Sequence, residues 1–152
     1  MFLYHTEVKP DWIDHNGHMR DAYYGLVFSH AGVAAQEEIG FDPEYRDRTG
    51  CSIFLLEDHK FFLREVKLGD ALTVETRVLD SDAKRFHLYL RLLHDEALCA
   101  VAEYMELHVN RLPTPRAAPI PEVLKARLKV AQTSPEEVAA LEPQSGRIGL
   151  RR

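Results

Sequence analysis

One stretch of helical periodicity followed by four stretches of strand periodicity constrains the fold of this 152-residue chain more than any other feature. From Asp21 to about Ile39, the residues Tyr23, Leu26, Val27, His30, Ala31 and Ala34 recur at a spacing that gathers them on one helical face. Asp21 suits the positive end of such a helix, and Gly40 is a natural stop. Gly25 and Gly32 weaken a helix, which predicts close packing of another element against its backbone. Beyond a polar stretch, Phe41 to Gly50, read as a loop or short helix, the period changes to two. Ser52 to Arg64 is long and apolar around Glu57, Asp58 and His59. Leu72, Val74, Thr76 and Val78 alternate with polar residues, as do Phe86, Leu88, Leu90 and Leu92. Val101, Met105, Leu107 and Val109 follow the same rule, and Glu103 breaks it. Ahead of the helix, Phe2, Tyr4, Thr6 and Val8 form one more strand pattern that Pro10 ends. Consecutive strands with short joins pair antiparallel. The expectation is an α+β fold in which an antiparallel sheet of about five strands covers one long helix. Pro113 to Pro121 reads as an extended connector, Glu122 to about Gln132 as a short helix, and the end from Gly146 as a basic, glycine-containing tail.

Composition bounds the function classes. The net charge of −5 provides no basic field for nucleic acid. No apolar run reaches membrane length, and the start lacks the basic and apolar regions of a secretory leader. Cys51 and Cys99 sit in apolar segments and read as reduced packing residues of a cytoplasmic protein.

The chemistry concentrates between the first strand and the helix, in Asp11-Trp12-Ile13-Asp14-His15-Asn16-Gly17-His18-Met19-Arg20-Asp21-Ala22-Tyr23-Tyr24. A carboxylate, two imidazoles, an amide and a glycine lie just ahead of a helix, whose first backbone N–H groups have no intrahelical partner. Asp14 there can act as a base on water or attack an activated acyl carbon. N–H groups from Met19 to Tyr23 can hold an oxyanion. Gly17 permits a positive φ or a close backbone approach, and His18 adds a second polar group. The plainer alternative is that Asp14 and Asn16 only cap and turn the chain. Asp14, His15 and His18 also have ligand chemistry, with His59, His87 or His108 as a fourth group. No second ligand pair at fixed spacing accompanies them, so no metal is expected.

At this loop the chain resembles the hotdog-fold acyl-CoA thioesterases of the 4-hydroxybenzoyl-CoA thioesterase type. Their signature is an Asp, two or three residues, Gly-His, a small apolar residue, often Asn-Asn, then a Tyr. Here it runs from Asp14 through Gly17-His18-Met19 to Tyr23-Tyr24. His59 to Asp70 looks like the family's second landmark, and the element order matches over about residues 2 to 111. The length makes 1–152 a single domain, and the prolines mark 113–152 as a Pro-rich C-terminal extension. The resemblance implies a hotdog fold. It implies Asp14 as the catalytic carboxylate and amides near Asp21 as the group that polarises the thioester carbonyl. It also implies a homodimer, often paired into a homotetramer, with the site between subunits. Arg20-Asp21 stands where the family often has Asn-Asn, which points to a subgroup with a different acyl group. The Asp-Trp-Ile-Asp start and the Arg147-Ile148-Gly149-Leu150 tail look more like betainyl-CoA thioesterases.

The sequence-level expectation is therefore an acyl-CoA thioesterase. Asp14, His18 and Asp21 are its catalytic candidates, and Trp12, Gly17, Tyr23, Tyr24, Glu57 and His59 its substrate-binding candidates. A betainyl group carries a quaternary ammonium, which favours aromatic faces and a carboxylate; Trp12, Tyr23, Tyr24 and Phe54, with Glu57 or Asp58, are the cage candidates. Lys84, Arg85, Arg91 or the C-terminal arginines are candidates for the CoA phosphates. No cofactor and no membrane or nucleic-acid partner is expected. The alternatives are a hotdog hydratase or dehydratase on a thioester, and a non-catalytic acyl-CoA binding module.

Overall fold

The computed structural model describes residues 1–150. Strand β1 (Phe2–Glu7) leads through a single 3₁₀ turn into helix α1 (Asp21–Ile39) and the short helix α2 (Pro43–Thr49). Strands β2 (Cys51–Phe62), β3 (Ala71–Ser81), β4 (Arg85–His94) and β5 (Ala97–Asn110) follow. The chain continues through β6 (Arg116–Ala117), α3 (Glu122–Ala131) and α4 (Pro135–Ala139). The main strands lie in the order β1-β3-β4-β5-β2, every neighbouring pair antiparallel, with the two-residue β6 added beside β5. This is the α+β architecture that the periodicities and the resemblance imply.

The sheet uses its alternation to make two layers. Leu88, Leu90 and Leu92 of β4 and Ala100, Ala102 and Tyr104 of β5 share the main core with Val27, Phe28 and Ala31 of α1. The helix is turned from the face that its sequence suggests. Leu26 is 38% exposed and His30 is exposed, while Tyr24, Val27, Phe28, Ala31, Ala35 and Ile39 are buried. Apolar and small residues run nearly all round α1, so its own periodicity does not select the stripe; the sheet does. The expected close approach at the helix glycines is modest. A methyl group on Gly32 would meet the Tyr104 ring at 3.7 Å, and one on Gly25 the Lys60 stem at 3.6 Å.

The other face of the sheet is covered by the C-terminal segment. Val138 and Leu141 pack on Leu79, Tyr89 and Val101, and the Tyr89 hydroxyl donates to the Pro143 carbonyl at 2.9 Å. Glu103, the break in the strand pattern, is 1% exposed there. It is paired with His87 Nε2 at 3.2 Å and accepts from the Ser145 amide. Burial pushes its carboxyl up, but these hydrogen bonds outweigh that and hold it below the usual value. The polar stretch after α1 is helical where a loop or helix was open, because Asp42 caps it by accepting from the Tyr45 amide at 2.7 Å, ahead of Pro43. The proline-rich connector bends at Pro113 and Thr114, where an extended path was expected, and then pairs with β5 through β6. Both cysteines are free thiols. Among the described residues, no helix is long and apolar enough to cross a membrane.

Candidate active site

The loop between β1 and α1 closes on itself as a miniature hairpin. Ile13 and Met19 form an antiparallel bridge. Asp14 N–H donates to the His18 carbonyl at 2.9 Å, and Gly17 N–H donates to the Asp14 carbonyl at 3.1 Å. The turn needs φ +81° at Gly17, with open space around it, so conformation rather than crowding selects glycine. The side chain of Asp14 is held inside this turn. One oxygen accepts the Asn16 N–H at 2.8 Å and the His18 N–H at 3.3 Å; the other accepts the Asn16 side-chain amide at 3.4 Å. Partial desolvation pushes this carboxyl up, but the three donors, with His15 nearby, outweigh it and hold it below its ordinary value. Asp14 is therefore ionised throughout the neutral range.

The loop is fastened to both neighbouring elements. Met19 N–H donates to the Val66 carbonyl at 2.9 Å, and both side chains are buried. Arg20 N–H donates to the Trp12 carbonyl at 3.0 Å, and the Arg20 guanidinium to the Ile13 carbonyl at 3.2 Å. Tyr23 N–H is taken by the Arg20 carbonyl at 3.0 Å. Of the stretch from Met19 to Tyr23, this leaves the Asp21 and Ala22 N–H groups without a partner among the described residues. They are the first two of α1 and point out of its positive end.

Asp14, His18, Asp21 and Tyr24 form one wall of an open cleft of about 740 Å³; Phe62, Arg64, Glu65 and Lys67, from β2 and the β2–β3 connection, form the other. His18 Nε2 reaches across to Glu65 at 3.0 Å. Tyr24 meets Phe62 edge to face, with ring centroids 5.3 Å apart, and its hydroxyl donates to the Arg64 carbonyl at 3.4 Å. A more apolar hollow of about 390 Å³ by Phe2, Ile39 and Val130 lies away from this loop and has no carboxylate beside free amides.

The structure sorts the remaining sequence candidates. Trp12 and Tyr23 stack on each other at 5.5 Å, with Lys9 Nζ 5.3 Å from the Trp12 ring centre, and neither lines the cleft. Gly17 shapes the turn. Glu57 and His59 lie along β2, one of the two edge strands, and within one chain they do not line the cleft. Of the other cage candidates, Phe54 is on the same strand and Asp58 is ion-paired with Lys60. Arg85 is held by Asp82 at 2.7 Å and Arg91 by Glu75 at 3.1 Å. Arg151 and Arg152 lie outside the described residues. Among the described residues, no three His, Cys, Asp or Glu side chains converge as metal ligands. Phe62, Arg64 and Lys67 were not singled out from sequence, although the landmark from His59 to Asp70 contains them.

Known proteins resemble this chain over the region that holds the loop. The thioesterase-like superfamily matches residues 8–128. A betainyl-CoA thioesterase of Pseudomonas aeruginosa is 42% identical over 149 residues, covering 97% of this chain and 93% of that protein. An L-carnitine dehydrogenase/betainyl-CoA thioesterase of Agrobacterium fabrum is 38% identical over 82% of this chain, which spans only 26% of that longer protein. A Staphylococcus aureus protein solved in complex with CoA superimposes with a TM-score of 0.85 at 28% identity, covering 99% of this chain and 94% of that one. With its hotdog sheet, buried helix and family match over most of its length, this chain belongs to the thioesterase-like superfamily and is a thioester hydrolase.

Proposed function

We propose that this hydrolase acts on a small acyl-CoA bearing a quaternary ammonium group, betainyl-CoA, and that Asp14 and the start of α1 carry the reaction. The observation that supports this most is an ionised carboxylate and the start of α1 at one cleft: Asp14 and Asp21 both line it, and the N–H groups of Asp21 and the adjoining Ala22 are free. The thioester carbonyl oxygen is placed on the Asp21 and Ala22 N–H groups. Asp14 either removes a proton from the water that adds to the acyl carbon or adds to that carbon itself, with water then cleaving the anhydride. On both routes the C–S bond breaks, the thiolate of CoA leaves and takes up a proton, and the other product is a carboxylic acid. His18, tied to Glu65, positions the wall opposite.

The acyl group is read from the Pseudomonas aeruginosa relative, matched over 97% of this chain and 93% of its own length, and from the aromatic corner at the cleft. Phe62, 53% exposed, offers an open ring surface in the cleft beside Asp14, with the buried Tyr24 ring set against it edge to face. Trp12 and Tyr23 are excluded from this role because they cover each other and Lys9 occupies the indole. A trimethylammonium gains about 0.5–2 kcal/mol per such ring.

The working form is read as a homodimer, two of which can associate as a homotetramer. Strand β2 has β5 on one side and none on the other, and its Phe54, Leu55 and Leu56 are 41%, 49% and 54% exposed. An apolar open edge of this kind is stabilised by pairing with another copy. The deciding experiment is thiol release across betainyl-CoA, short straight-chain and aromatic acyl-CoAs. Betainyl-CoA should show the highest kcat/KM. Equal rates on all thioesters would remove the betainyl assignment, and enoyl-CoA hydration without thiol release would replace the hydrolase reading.

A further inference from the structure

The cleft has two unlike walls. On the side of the loop and α1 stand Asp14 and Asp21; on the side of the β2–β3 connection stand Arg64 and Lys67. Among the described residues, most other cations are engaged. Arg46 is held by Glu37, Lys60 by Asp58, Arg77 by Glu137, Arg85 by Asp82 and Arg91 by Glu75. Arg20, Arg111 and Arg127 donate to backbone carbonyls. The Arg64 guanidinium and the Lys67 ammonium have no hydrogen-bond or ion-pair partner among the described residues, and Glu65 between them is turned to His18.

Their backbones are nonetheless fixed. Arg64 N–H donates to the Cys99 carbonyl at 2.9 Å, and the Arg64 carbonyl accepts from the Tyr24 hydroxyl. Lys67 N–H donates to the Asp70 carboxylate at 2.8 Å, and the Lys67 carbonyl accepts from Asp70 N–H at 3.1 Å. Two free cations on anchored backbone, facing the cleft that holds the catalytic carboxylate, form a wall for an anionic group. A guanidinium suits a phosphate through paired N–H donors, and an ammonium adds a point charge.

We propose that Arg64 and Lys67 receive the phosphate groups of the CoA moiety, so that its neutral arm runs across the cleft and delivers the thioester to Asp14. This rests on the reading that the cleft takes an acyl-CoA. It also moves the phosphate site away from Lys84, Arg85 and Arg91, the cations that the sequence suggested.

The test compares one acyl group on two carriers: CoA, and N-acetylcysteamine, which has the thioester but no phosphate. Arg64→Gln and Lys67→Gln should each raise KM for the acyl-CoA about tenfold, the effect of losing one charged hydrogen bond. They should leave kcat/KM for the N-acetylcysteamine thioester unchanged and flatten the fall of acyl-CoA kcat/KM with added salt. Arg85→Gln should change neither. Calorimetric titration with free CoA provides a readout independent of turnover, and both variants should weaken it to the same degree. Equal losses on both carriers, or unchanged CoA affinity, would overturn the proposal. A protein that hydrolyses no thioester but whose CoA binding these substitutions weaken would uphold the proposal and remove the catalytic reading instead.

Discussion

Asp14 and His18 are bonded in both directions: the amide of Asp14 donates to the His18 carbonyl at 2.9 Å, and the amide of His18 donates back to the Asp14 carboxylate at 3.3 Å. The geometry of the carboxylate is thus set by the turn itself and does not depend on a distant partner. Asp14→Asn keeps the oxygen that accepts the Asn16 and His18 N–H groups, and removes the charge and the long bond from the Asn16 side-chain amide. We expect it to fold with an unchanged melting temperature and to lose roughly 10²–10⁴ in kcat, read by thiol release. Near-normal hydrolysis would show that Asp14 merely turns the chain. Because its donors hold the carboxyl low, the acid limb of kcat/KM for the native protein should lie below pH 3.8, the ordinary carboxylate value, wherever the fold survives.

The backbone amide of Asp21 can be tested directly. It stands at the first position of α1, where proline is well tolerated, and Arg20 before it has φ −62° and ψ 147°, the conformation that a following proline requires. Asp21→Pro should fold and lose about 10²–10³ in kcat through the missing N–H donor. Asp21→Ala retains that N–H and should lose far less. Equal losses in the two variants would place the effect in the carboxylate of Asp21.

Leu56, 54% exposed on the β2 edge of the sheet, sits where the register between β2 and β5 shifts by one residue. A lysine there charges the edge, a change that discourages strand pairing. Leu56→Lys should elute from a sizing column as a monomer and lose activity with it, since the site is read as lying between subunits. A native protein that is monomeric at micromolar concentration and fully active would contradict the dimer.

Glu106 gives the fold a pH dependence separate from catalysis. It is 3% exposed, and Gln36 of α1 donates to it at 3.1 Å. Burial pushes its carboxyl up to about 7 from 4.5, more than the Gln36 bond offsets. The folded state therefore holds a proton that the unfolded chain releases. The contribution is complete below pH 4.5 and is lost as pH rises toward 7, by up to about 3 kcal/mol. Glu106→Gln removes the titration while keeping an acceptor for Gln36. Its denaturant midpoint should exceed that of the native protein at pH 8 and converge with it near pH 5. Parallel curves for the two proteins would remove Glu106 as the source.

How far the sequence carries differs from element to element. The alternation in β3 and β4 was legible because a half-buried strand must place every second side chain on the core. The loop around Asp14 was legible because a carboxylate, a glycine and a helix start in one short span are local features. Glu103 was visible only as an interruption, since its partners, His87 and Ser145, are 16 and 42 positions away. Glu57 and His59 stand out as polar residues in an apolar strand, yet β2 is an edge strand, where polar residues have solvent access.

The order of residues alone determined the period of each element, the tight turn at Gly17 and the proximity of Asp14 to the free amides of α1, because all of these arise within a few residues of chain. Tertiary structure decided which stripe of α1 is buried, which aromatic rings remain open, and that Arg64 and Lys67 face Asp14 across a cleft. Those outcomes depend on which strand lies at the edge and on which cations find a carboxylate across the sheet, and such pairings join residues far apart in sequence.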